Sequence, residues 1–483
     1  MRSHAMSRRN FLHRGSTALA ALAAVSRARS GRAQTPQRPP NFVIIFTDDQ
    51  GYNDLGCFGS KRIKTPNLDR MAAEGARLTS FYSAAPVCTP SRAALLTGCY
   101  PQRIGLAAIP RHEGDLTAPP HHVMRQTSPF GLHPDEITLA ELLKNAGYAT
   151  GCIGKWHLGH LPPFLPPSHG FDYYFGLPYS NDMTPVYLIR GAETIETGVN
   201  QETLTERYTE EAVEFIRTHQ DRPFFLYLAH NMPHTPLHAS ERFRGKSAGG
   251  LYGDVIETID WGAGRLFDTL RELGLDNDTL VLFTSDNGPW YIKGEDGGNA
   301  TPWRAGKGTT YEGGMRVPCI VRWPGRIPAG LVSDEIATTM DVFPTFAHLA
   351  GAPLPQDRIL DGKNIWPLLT QPGAKSPREA FYYYFANELH AVRSGPWKLR
   401  LETTLRDEDL YRRIPNLDTP LPEALYNLDI DPGEQKSVHK DHPDIVQRLR
   451  QLAEAARNDL GDARTGVTGK NTRPIGRLDE TTP

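Results

Sequence analysis

The residues best suited to carry out chemistry begin at Cys88, in the run CTPSRAALLTG that ends at Gly98. Thr89 can cap a helix, Pro90 suits its first position, and the residues from Arg92 onward favour a helix as far as Gly98. We therefore expect Cys88 beside a helix N-terminus, where free backbone N–H groups attract anions, with the Arg92 cation in the first turn. The alternative is a small buried cysteine before an ordinary helix.

Acidic and amide side chains follow two apolar runs that have the character of buried strands. Asp48 and Asp49 come directly after NFVIIFT, and Asp286 and Asn287 follow TLVLFTS. The carboxyl ends of parallel strands share one edge of a sheet, so we expect these side chains to meet there. An oxygen-only set favours a hard cation, with Ca²⁺ the best fit and Mg²⁺ the second. Each pair on its own is also typical of a turn.

Lysine and histidine side chains form a third group. Lys155 and His157 stand two residues apart in GKWHLG, so on an extended backbone they would point the same way. His234 lies in HNMPHTP, and Lys307 lies in GKGTTYEGGMRVP. With Arg92, this set suits an oxyanion whose negative charge grows during a reaction, and imidazole can move protons near neutral pH. Each lysine on its own would more commonly be a solvated surface charge.

The elements that must position these residues follow an α/β pattern. Four apolar runs are typical of strands buried on both faces of a parallel sheet: Asn41–Thr47, Ala149–Ile153, Pro223–Ala229 and Thr279–Thr284. Helical periodicity lies between them, at Ile137–Asn145, Tyr208–Thr218 and Val255–Leu273. The alternation predicts an α/β fold with a mostly parallel central sheet flanked by helices.

The pattern changes after Leu369, where short strands separated by turns precede a helix near Pro443–Asn458. We expect a catalytic domain over 38–370 and a smaller C-terminal α+β subdomain with an antiparallel sheet over 378–460. The polar tail over 461–483 has too little apolar surface to order itself. The 5 cysteines are too few for a disulfide scaffold, and the sequence leaves any pairing among them open.

Residues 1–33 differ in kind from the rest of the chain. Arg8 and Arg9 precede an apolar run too short to span a bilayer, which is typical of a twin-arginine signal peptide, and the alternative is a basic amphipathic helix. The segment holds seven arginines and no acid, so its removal would leave 46 of the 53 Lys and Arg against 55 Asp and Glu. The resulting net charge near −9 excludes a globally basic surface for nucleic acid. We expect an exported protein, periplasmic or secreted, with the twin-arginine translocase as a partner and no stable membrane insertion.

Motifs in one order along the chain resemble those of the formylglycine-dependent (type I) sulfatases, most closely the arylsulfatase A and N-acetylgalactosamine-6-sulfatase branch. They are NFVIIFTDDQGYNDLGCFG, KTPNLDRMAAEG, CTPSRAALLTG, GYATGCIGKWHLG, GFDYYFGLPYSNDM, PHTP, TSDNG, GKGTTYEGGMRVP and YNLDIDPGE. The resemblance covers nearly all of the chain after its first segment. It implies an alkaline-phosphatase-like fold and hydrolysis of an aryl or carbohydrate sulfate ester to an alcohol and inorganic sulfate.

The same resemblance implies that a formylglycine-generating enzyme converts Cys88 to formylglycine (3-oxoalanine). One hydroxyl of the hydrated aldehyde would attack sulfur, while Arg92 and Lys155 orient the hydrate and the sulfate. Loss of the proton from the second hydroxyl, helped by His157, would then release sulfate. The implied calcium ligands are Asp48, Asp49, Asp286, Asn287 and the modified Cys88.

The substrate-binding residues implied by the resemblance are Ser180, Lys155, His234 and Lys307, of which His234 and Lys307 would favour the leaving oxygen. The loops 106–133 and 290–304 are expected to surround the pocket and to contact a sugar or aryl group. Solvated loops are the alternative for both.

Two other functions stay open at this point. The first is a phosphonate or phosphate monoester hydrolase on the same scaffold. A two-metal phosphatase would need a second set of metal ligands. Here Lys155 and Lys307 supply positive charge without a second metal. A non-catalytic binder of sulfated glycans is the second, and it would follow if Cys88 were never modified.

Overall fold

The computed structural model of the chain describes residues 38–114, 116–117, 119–403 and 422–478, so the predicted signal peptide lies outside the described residues. The central strand, β1 (Asn41–Thr47), is buried along its whole length. Phe42 and Ile44 face one apolar core, and Val43 and Ile45 face another. Because both faces of the strand are covered, its sequence is a continuous apolar run.

The remaining strands, in chain order, are β2 (Ala76–Leu78), β3 (Phe81–Tyr82), β4 (Phe130–Gly131), β5 (Ala149–Gly154), β6 (Tyr173–Gly176), β7 (Tyr187–Arg190), β8 (Glu193–Thr197), β9 (Phe224–Ala229), β10 (Thr279–Ser285), β11 (Cys319–Arg322), β12 (Leu331–Ser333), β13 (Ala337–Thr338), β14 (Phe381–Phe385), β15 (Glu388–Ser394), β16 (Trp397–Arg400), β17 (Ala424–Asn427) and β18 (Gly476–Arg477). Nine of them join β1 in the ten-stranded central sheet, in the order β12-β2-β11-β10-β1-β9-β5-β6-β7-β8. Strands β10, β1, β9, β5 and β6 are parallel, whereas β11 and β7 extend the sheet in antiparallel pairing. The predicted mostly parallel sheet is confirmed.

The α-helices are α1 (Pro66–Glu74), α2 (Cys88–Thr97), α3 (Leu139–Asn145), α4 (Leu204–Thr218), α5 (Gly250–Glu272), α6 (Glu312–Met315), α7 (Val342–Ala350), α8 (Trp366–Thr370) and α9 (Pro443–Leu460). Helices α2, α3 and α7 contribute buried side chains to the core that contains Phe42. Helices α1, α4 and α5 contribute to the core that contains Val43. The central sheet is therefore covered by helices on both faces, as predicted.

A second sheet lies in the C-terminal part of the chain. Strands β14, β15, β16 and β17 pair antiparallel in that order, and α9 contacts β15 and β16. Its core includes Leu389, Leu399 and Leu449 together with Tyr82 and Met315 from the first part of the fold. The C-terminal antiparallel sheet is thus confirmed, and it shares a core with the segment around α6.

The expectation of disorder after residue 461 is wrong for the described residues, 461–478. Strand β18 pairs with β4. Arg473 forms an ion pair with the buried Glu136 at 2.6 Å, and Arg103 donates a hydrogen bond to the Asn471 carbonyl at 3.0 Å. Charge pairs and backbone hydrogen bonds order this segment, which contributes little apolar surface.

Two further observations concern the cysteines and the membrane. All five cysteines are free thiols, and Cys57 is the one that is not fully buried. Among the residues described, no helix combines the length and the apolar character needed to cross a bilayer.

Candidate active site

The carboxyl ends of β1, β5 and β10 meet at one edge of the central sheet. Asp48 and Asp49 follow β1, Lys155 follows β5, and Asp286 and Asn287 follow β10. Loops and helix starts from elsewhere in the chain complete the group. All the predicted site residues are buried: Asp48, Asp49, Cys88, Arg92, Lys155, His157, Ser180, His234, Asp286, Asn287 and Lys307.

The acidic residues form one continuous cluster around Cys88. The backbone N–H of Asp49 donates to Asp286 Oδ1 at 3.1 Å, and Asn287 Nδ2 donates to Asp49 Oδ1 at 2.8 Å. The Cys88 sulfur and one carboxylate oxygen each from Asp48 and Asp286 lie within 4.8 Å of one another. The structure therefore brings the ends of β1 and β10 together with Cys88, as the sequence predicts.

Three cations neutralise these carboxylates. Arg92 contacts Asp286 Oδ2 at 3.0 Å and Asp48 Oδ2 at 3.3 Å, and it also donates to the Lys155 carbonyl at 3.0 Å. Lys155 Nζ donates to Asp48 Oδ2. On the other side of the cluster, Lys307 Nζ donates to Asp49 Oδ2 at 2.8 Å. Each aspartate therefore has a cation beside it.

The charges shift the pKa values of the carboxyl groups in opposite directions. Burial raises the pKa of Asp48, but Lys155 and Arg92 outweigh burial and hold it well below its usual range. Burial and the neighbouring Asp48 carboxylate raise the pKa of Asp286. A cation added between two carboxylates this close and this deeply buried would favour the ionised form of Asp286.

Two oxygen atoms in the cluster are left without a partner among the described residues. Asp48 Oδ1 and Asn287 Oδ1 are buried and accept no hydrogen bond. A buried polar atom costs free energy unless it is paired. Carboxylate and amide oxygens are ligands that Ca²⁺ and Mg²⁺ prefer, so the residues present fit a hard cation.

Helix α2 begins at Cys88 itself, with Val87 as its N-cap. The prediction that Thr89 caps the helix is wrong, because the Thr89 hydroxyl is used elsewhere. It donates to the His157 carbonyl at 3.1 Å and accepts the Met124 N–H at 2.9 Å. Burial raises the pKa of the Cys88 thiol to about 12, so the thiol is protonated at neutral pH.

His157 reaches the site by a different backbone geometry from the one predicted. Strand β5 ends at Gly154, and His157 has φ 63°, so the backbone is not extended between Lys155 and His157. The His157 Nε2–H donates to the Met124 carbonyl at 2.9 Å, which leaves Nδ1 to carry the lone pair. Nδ1 is buried and has no hydrogen-bond partner among the described residues. Burial and then Lys155 hold the His157 pKa well below its usual value, so the ring is neutral.

His234 is oriented by Asn181, a residue that the sequence analysis did not single out. Asn181 Nδ2 donates to the His234 and Pro236 carbonyls at 3.4 and 3.2 Å, so Oδ1 is the atom that accepts from His234 Nδ1 at 3.1 Å. His234 Nε2 then lies 3.7 Å from Asp49 Oδ2. Burial, with a smaller effect of Lys307, lowers the pKa of His234 to about 3.

A pocket of about 540 Å³ opens above this cluster. Its floor includes Cys88, His157, Ser180, His234 and Lys307. Ser180 accepts a hydrogen bond from Lys155 Nζ at 3.1 Å, so it lies beside another of the predicted substrate-binding residues.

Trp290 is a second residue that the sequence analysis placed only in a loop. Its ring lies 4.3 Å from Lys307 Nζ, and its centroid lies 5.2 Å from that of His234. Both missed residues are adjacent to recognised motifs, Asn181 after Ser180 and Trp290 just after TSDNG. Met124 had no such signal, because its contacts with Thr89 and His157 depend on tertiary structure.

Comparison with known proteins identifies the family. Residues 40–352 match the family model described as Sulfatase, and 305–459 match the model described as N-sulphoglucosamine sulphohydrolase, C-terminal. The chain belongs to the sulfatase family. This sulfatase is 39% identical to N-acetylgalactosamine-6-sulfatase of Canis lupus familiaris, over 91% of this chain and 90% of that protein. It is 40% identical to arylsulfatase A of Homo sapiens, over 86% of this chain and 87% of that protein. The predicted family and branch are confirmed, and the protein is a sulfuric ester hydrolase.

Solved structures support the same assignment. A sulfatase from Pseudoalteromonas sp. superposes with a TM-score of 0.77 at 28% identity, over 98% of this chain and 97% of that one. The phosphonate monoester hydrolase of Agrobacterium radiobacter superposes with a TM-score of 0.60 at 20% identity, over 86% and 94% of the two chains. The second likeness shows a shared fold alone. The predicted alkaline-phosphatase-like architecture is confirmed.

Proposed function

We propose that this sulfatase hydrolyses a carbohydrate or aryl sulfate ester through a formylglycine made from Cys88, with Ca²⁺ as the metal and Mg²⁺ as the second choice. The observation that carries the proposal is the position of Cys88. It is the first residue of α2, lines the pocket, and has its sulfur within 4.8 Å of carboxylate oxygens of Asp48 and Asp286. A protonated thiol in that place is a weak nucleophile, and this favours a converted side chain.

The proposed metal ligands are Asp48, Asp49, Asp286 and Asn287, together with the converted side chain at position 88. The partnerless Asp48 Oδ1 and Asn287 Oδ1 support this set, as does the raised pKa of Asp286, which arises from burial and then from Asp48. A bound Ca²⁺ would supply positive charge beside the sulfate oxygens. We prefer Ca²⁺ because Mg²⁺ demands near-ideal octahedral geometry.

The hydrated formylglycine would supply two hydroxyl groups, one to attack sulfur and one whose deprotonation releases sulfate. The N-terminus of α2 and Arg92 favour negative charge at position 88. His157 Nδ1 is the proposed proton acceptor, because its lone pair is unused in a neutral ring. The Nε2–H bond to Met124 fixes that tautomer and aims the ring.

Departure of the alcohol leaves negative charge on its oxygen, and Lys307 is the proposed stabiliser of that charge. Its ammonium group is held between Asp49 and the Trp290 ring at the pocket floor. His234 donates Nδ1–H to Asn181, so its Nε2 can donate only after protonation. An anionic ester beside Nε2 would favour that protonated form. Lys155 and Ser180 would bind the sulfate oxygens from the other side.

The relatives named for N-acetylgalactosamine-6-sulfate and aryl sulfate chemistry support a sulfated sugar or aryl ester as substrate, and we propose one of these for this chain. The experiment measures kcat/KM for 4-nitrophenyl sulfate and for a phenylphosphonate ester, beside mass spectrometry of the peptide that contains residue 88. We expect a converted residue 88 and a preference for the sulfate. A preference for the phosphonate would favour the alternative hydrolase, and binding without turnover by an unconverted protein would favour the glycan binder.

We further propose that the protein is exported folded through the twin-arginine route, with residues 1–33 as its signal peptide. A formylglycine-generating enzyme would then have to act in the cytoplasm, before translocation. Mass spectrometry of the exported protein tests this order. An unconverted Cys88 in an active exported enzyme would contradict it.

A further inference from the structure

The outer wall of the active-site pocket carries two arginines and two histidines. Above the catalytic floor, the pocket is lined by Arg111, His121, His122 and Arg125 from one loop. Asp182 is the one acidic residue among the pocket-lining residues that the structure describes. Since the scissile sulfate would be bound at the floor by Lys155 and Lys307, these outer groups face a different part of any substrate.

The two arginines of this wall have unused hydrogen-bonding capacity. The Arg125 side chain is exposed and makes no hydrogen bond or ion pair within the described part of the chain. Toward the residues that the structure describes, Arg111 uses Nε alone, which donates to the Pro119 carbonyl at 2.7 Å. Burial lowers the pKa of His121, and so do Arg111 and Arg125, so both guanidinium groups lie close enough to His121 to disfavour its protonated form.

The wall is attached to the catalytic residues themselves. Thr89 Oγ1 donates to the His157 carbonyl, His157 Nε2–H donates to the Met124 carbonyl, and the Met124 N–H donates to Thr89 Oγ1, at 3.1, 2.9 and 2.9 Å. These three hydrogen bonds form a closed triangle. Thr89 directly follows Cys88 in the sequence, and Met124 directly precedes Arg125. Arg125 is therefore fixed at its backbone relative to the nucleophile position.

Hydrogen bonds also hold other described residues of this loop. Ile109 and His121 exchange backbone hydrogen bonds at 2.8 and 2.9 Å, as in an antiparallel pair, so they hold Arg111 on the same wall. Gln126 Nε2 donates to the Thr184 carbonyl at 2.7 Å, which joins this wall to the one that carries Asp182. A guanidinium group on such a support is preorganised for a planar oxyanion.

We propose that Arg125 and Arg111, with His121 between them, form a second anion-binding subsite at the pocket mouth. The natural substrate would then be an acidic oligosaccharide that carries, on a sugar next to the sulfated one, a carboxylate or a further sulfate. A guanidinium group binds either oxyanion with paired N–H donors. This inference rests on the proposed function in that the sulfate ester occupies the floor of the same pocket, and a simple aryl sulfate would leave both arginines unused.

The experiment measures binding of three tetrasaccharides to the Cys88→Ala protein by titration calorimetry. The first is a chondroitin 6-sulfate tetrasaccharide, the second is its carboxyl-reduced form, and the third is the carboxyl-reduced form with a second sulfate on each galactosamine. Variants Arg125→Gln and Arg111→Gln are compared with Arg70→Gln, which removes an exposed arginine from α1 outside the pocket.

We expect the first or the third ligand to bind more tightly than the second. Tighter binding of the first indicates a carboxylate subsite, and tighter binding of the third indicates a sulfate subsite. Arg125→Gln should reduce that preference about fivefold, as for a charge pair at a part-exposed site, and Arg70→Gln should leave it unchanged. Equal binding of all three ligands would overturn the subsite. So would a loss of affinity in Arg125→Gln that is the same for all three ligands. Hydrolysis of 4-nitrophenyl sulfate by the unmutated protein is measured separately, so failure of the proposed function is distinguishable from failure of the subsite.

Discussion

Two of the buried ion clusters in the described part of this sulfatase differ in how their oxygens are paired. In the catalytic cluster, Asp48 Oδ1 and Asn287 Oδ1 have no partner among the described residues. In the cluster around Glu312, where α6 meets the C-terminal sheet, Oε1 accepts from the Tyr383 hydroxyl at 2.7 Å and from Lys398 Nζ at 3.0 Å. Its Oε2 accepts from the Tyr82 hydroxyl. Glu434 Oε1 accepts no hydrogen bond, but it lies 2.8 Å from Lys398 Nζ, so the carboxylates of the Glu312 cluster are in contact with a cation of the protein itself.

Each cluster holds one carboxyl group with a lowered pKa and one with a raised pKa, because burial and the neighbouring Glu312 raise the pKa of Glu434 beside the lowered one of Glu312. Burial raises the pKa of Glu312, but Lys398, Arg393 and Arg316 outweigh it and bring the pKa far below its usual range. Burial and Asp48 instead raise the pKa of Asp286, despite the Arg92 cation. The two clusters are therefore distinguished by the oxygens without a contact among the described residues, Asp48 Oδ1 and Asn287 Oδ1, and not by their pKa shifts.

The largest effect expected on the catalytic side is that of Cys88→Ala. Removal of the nucleophile position should lower kcat/KM for 4-nitrophenyl sulfate by at least about 10⁴-fold, because the remaining groups can only bind and polarise the ester. Cys152→Ala is the matched control: it removes another buried thiol, in β5, and should cost stability but not the chemistry. Near-native turnover by Cys88→Ala would refute the proposed mechanism.

On the structural side, Lys398→Met should have the largest effect on folding. Loss of the ammonium group leaves Glu312 and Glu434 facing each other without their shared cation, and a broken buried pair costs about 3–5 kcal/mol of unfolding free energy. Urea denaturation provides the measurement. Lys375→Met, which removes an exposed ion pair with Glu335, should cost less than about 1 kcal/mol. Similar costs for the two variants would show that the Glu312 cluster is not structural.

Lys307→Met tests the catalytic cluster in the opposite sense. We expect a loss of about 10²–10³ in kcat, the usual result when a group that stabilises developing charge is removed. The loss of stability should be smaller than in Lys398→Met, because the proposed Ca²⁺ would still neutralise Asp49. Lys293→Met, which removes the other ammonium group over the Trp290 ring, should keep most of the activity. If Lys307→Met unfolds the protein but spares kcat, the two clusters do not differ as argued.

Calcium itself should distinguish the two clusters. Removal of metal with a chelator should lower Tm and abolish turnover, and Ca²⁺ at about 100 times its Kd should restore about 2.7 kcal/mol of stability. The calcium-dependent shift in Tm should shrink in Asp286→Asn and persist in Lys398→Met. A protein whose Tm and activity ignore both chelator and Ca²⁺ would have no such site.

The smallest expected effect concerns pH and the buried His390. Burial, with smaller effects of Arg400 and Arg464, lowers the pKa of His390 to about 3. Below the unfolded value of about 6.5, the unfolded chain binds a proton that the folded protein does not, so stability is lost as pH falls from about 6.5 towards 3. The slope is about 1.4 kcal/mol per pH unit at full protonation.

Urea denaturation between pH 7 and pH 5 measures this slope. His390→Asn should reduce it, and the exposed His348→Asn should not. An unchanged slope in His390→Asn would mean that His390 is charged in the folded protein.

The sequence predicts the positions of the candidate site residues because each lies in a short segment with its own local chemistry. Asp48, Asp286 and Cys88 stand at strand or helix ends that apolar patterning locates directly. The strands are buried on both faces, so their long apolar runs leave little ambiguity. Fold class and the C-terminal sheet follow from the same patterning.

What the sequence does not reveal depends on contacts between distant segments. Thr89 was assigned as a cap from its neighbours, yet its hydroxyl is used by Met124 and His157. The tail after 461 was assigned to disorder from its composition, yet Arg473 finds a buried carboxylate in Glu136. Local propensity gives no information on partners that lie tens or hundreds of residues away.

The triangle of Thr89, Met124 and His157 has a consequence for how such enzymes diversify. It fixes one end of the pocket-lining loop to the catalytic residues, while the Ile109–His121 pair closes the base of the loop farther out. Residues 110–120, which this pair closes off, can change in length and charge without moving residue 88. Substrate range can therefore evolve by loop replacement, at little risk to the chemistry that every variant must keep.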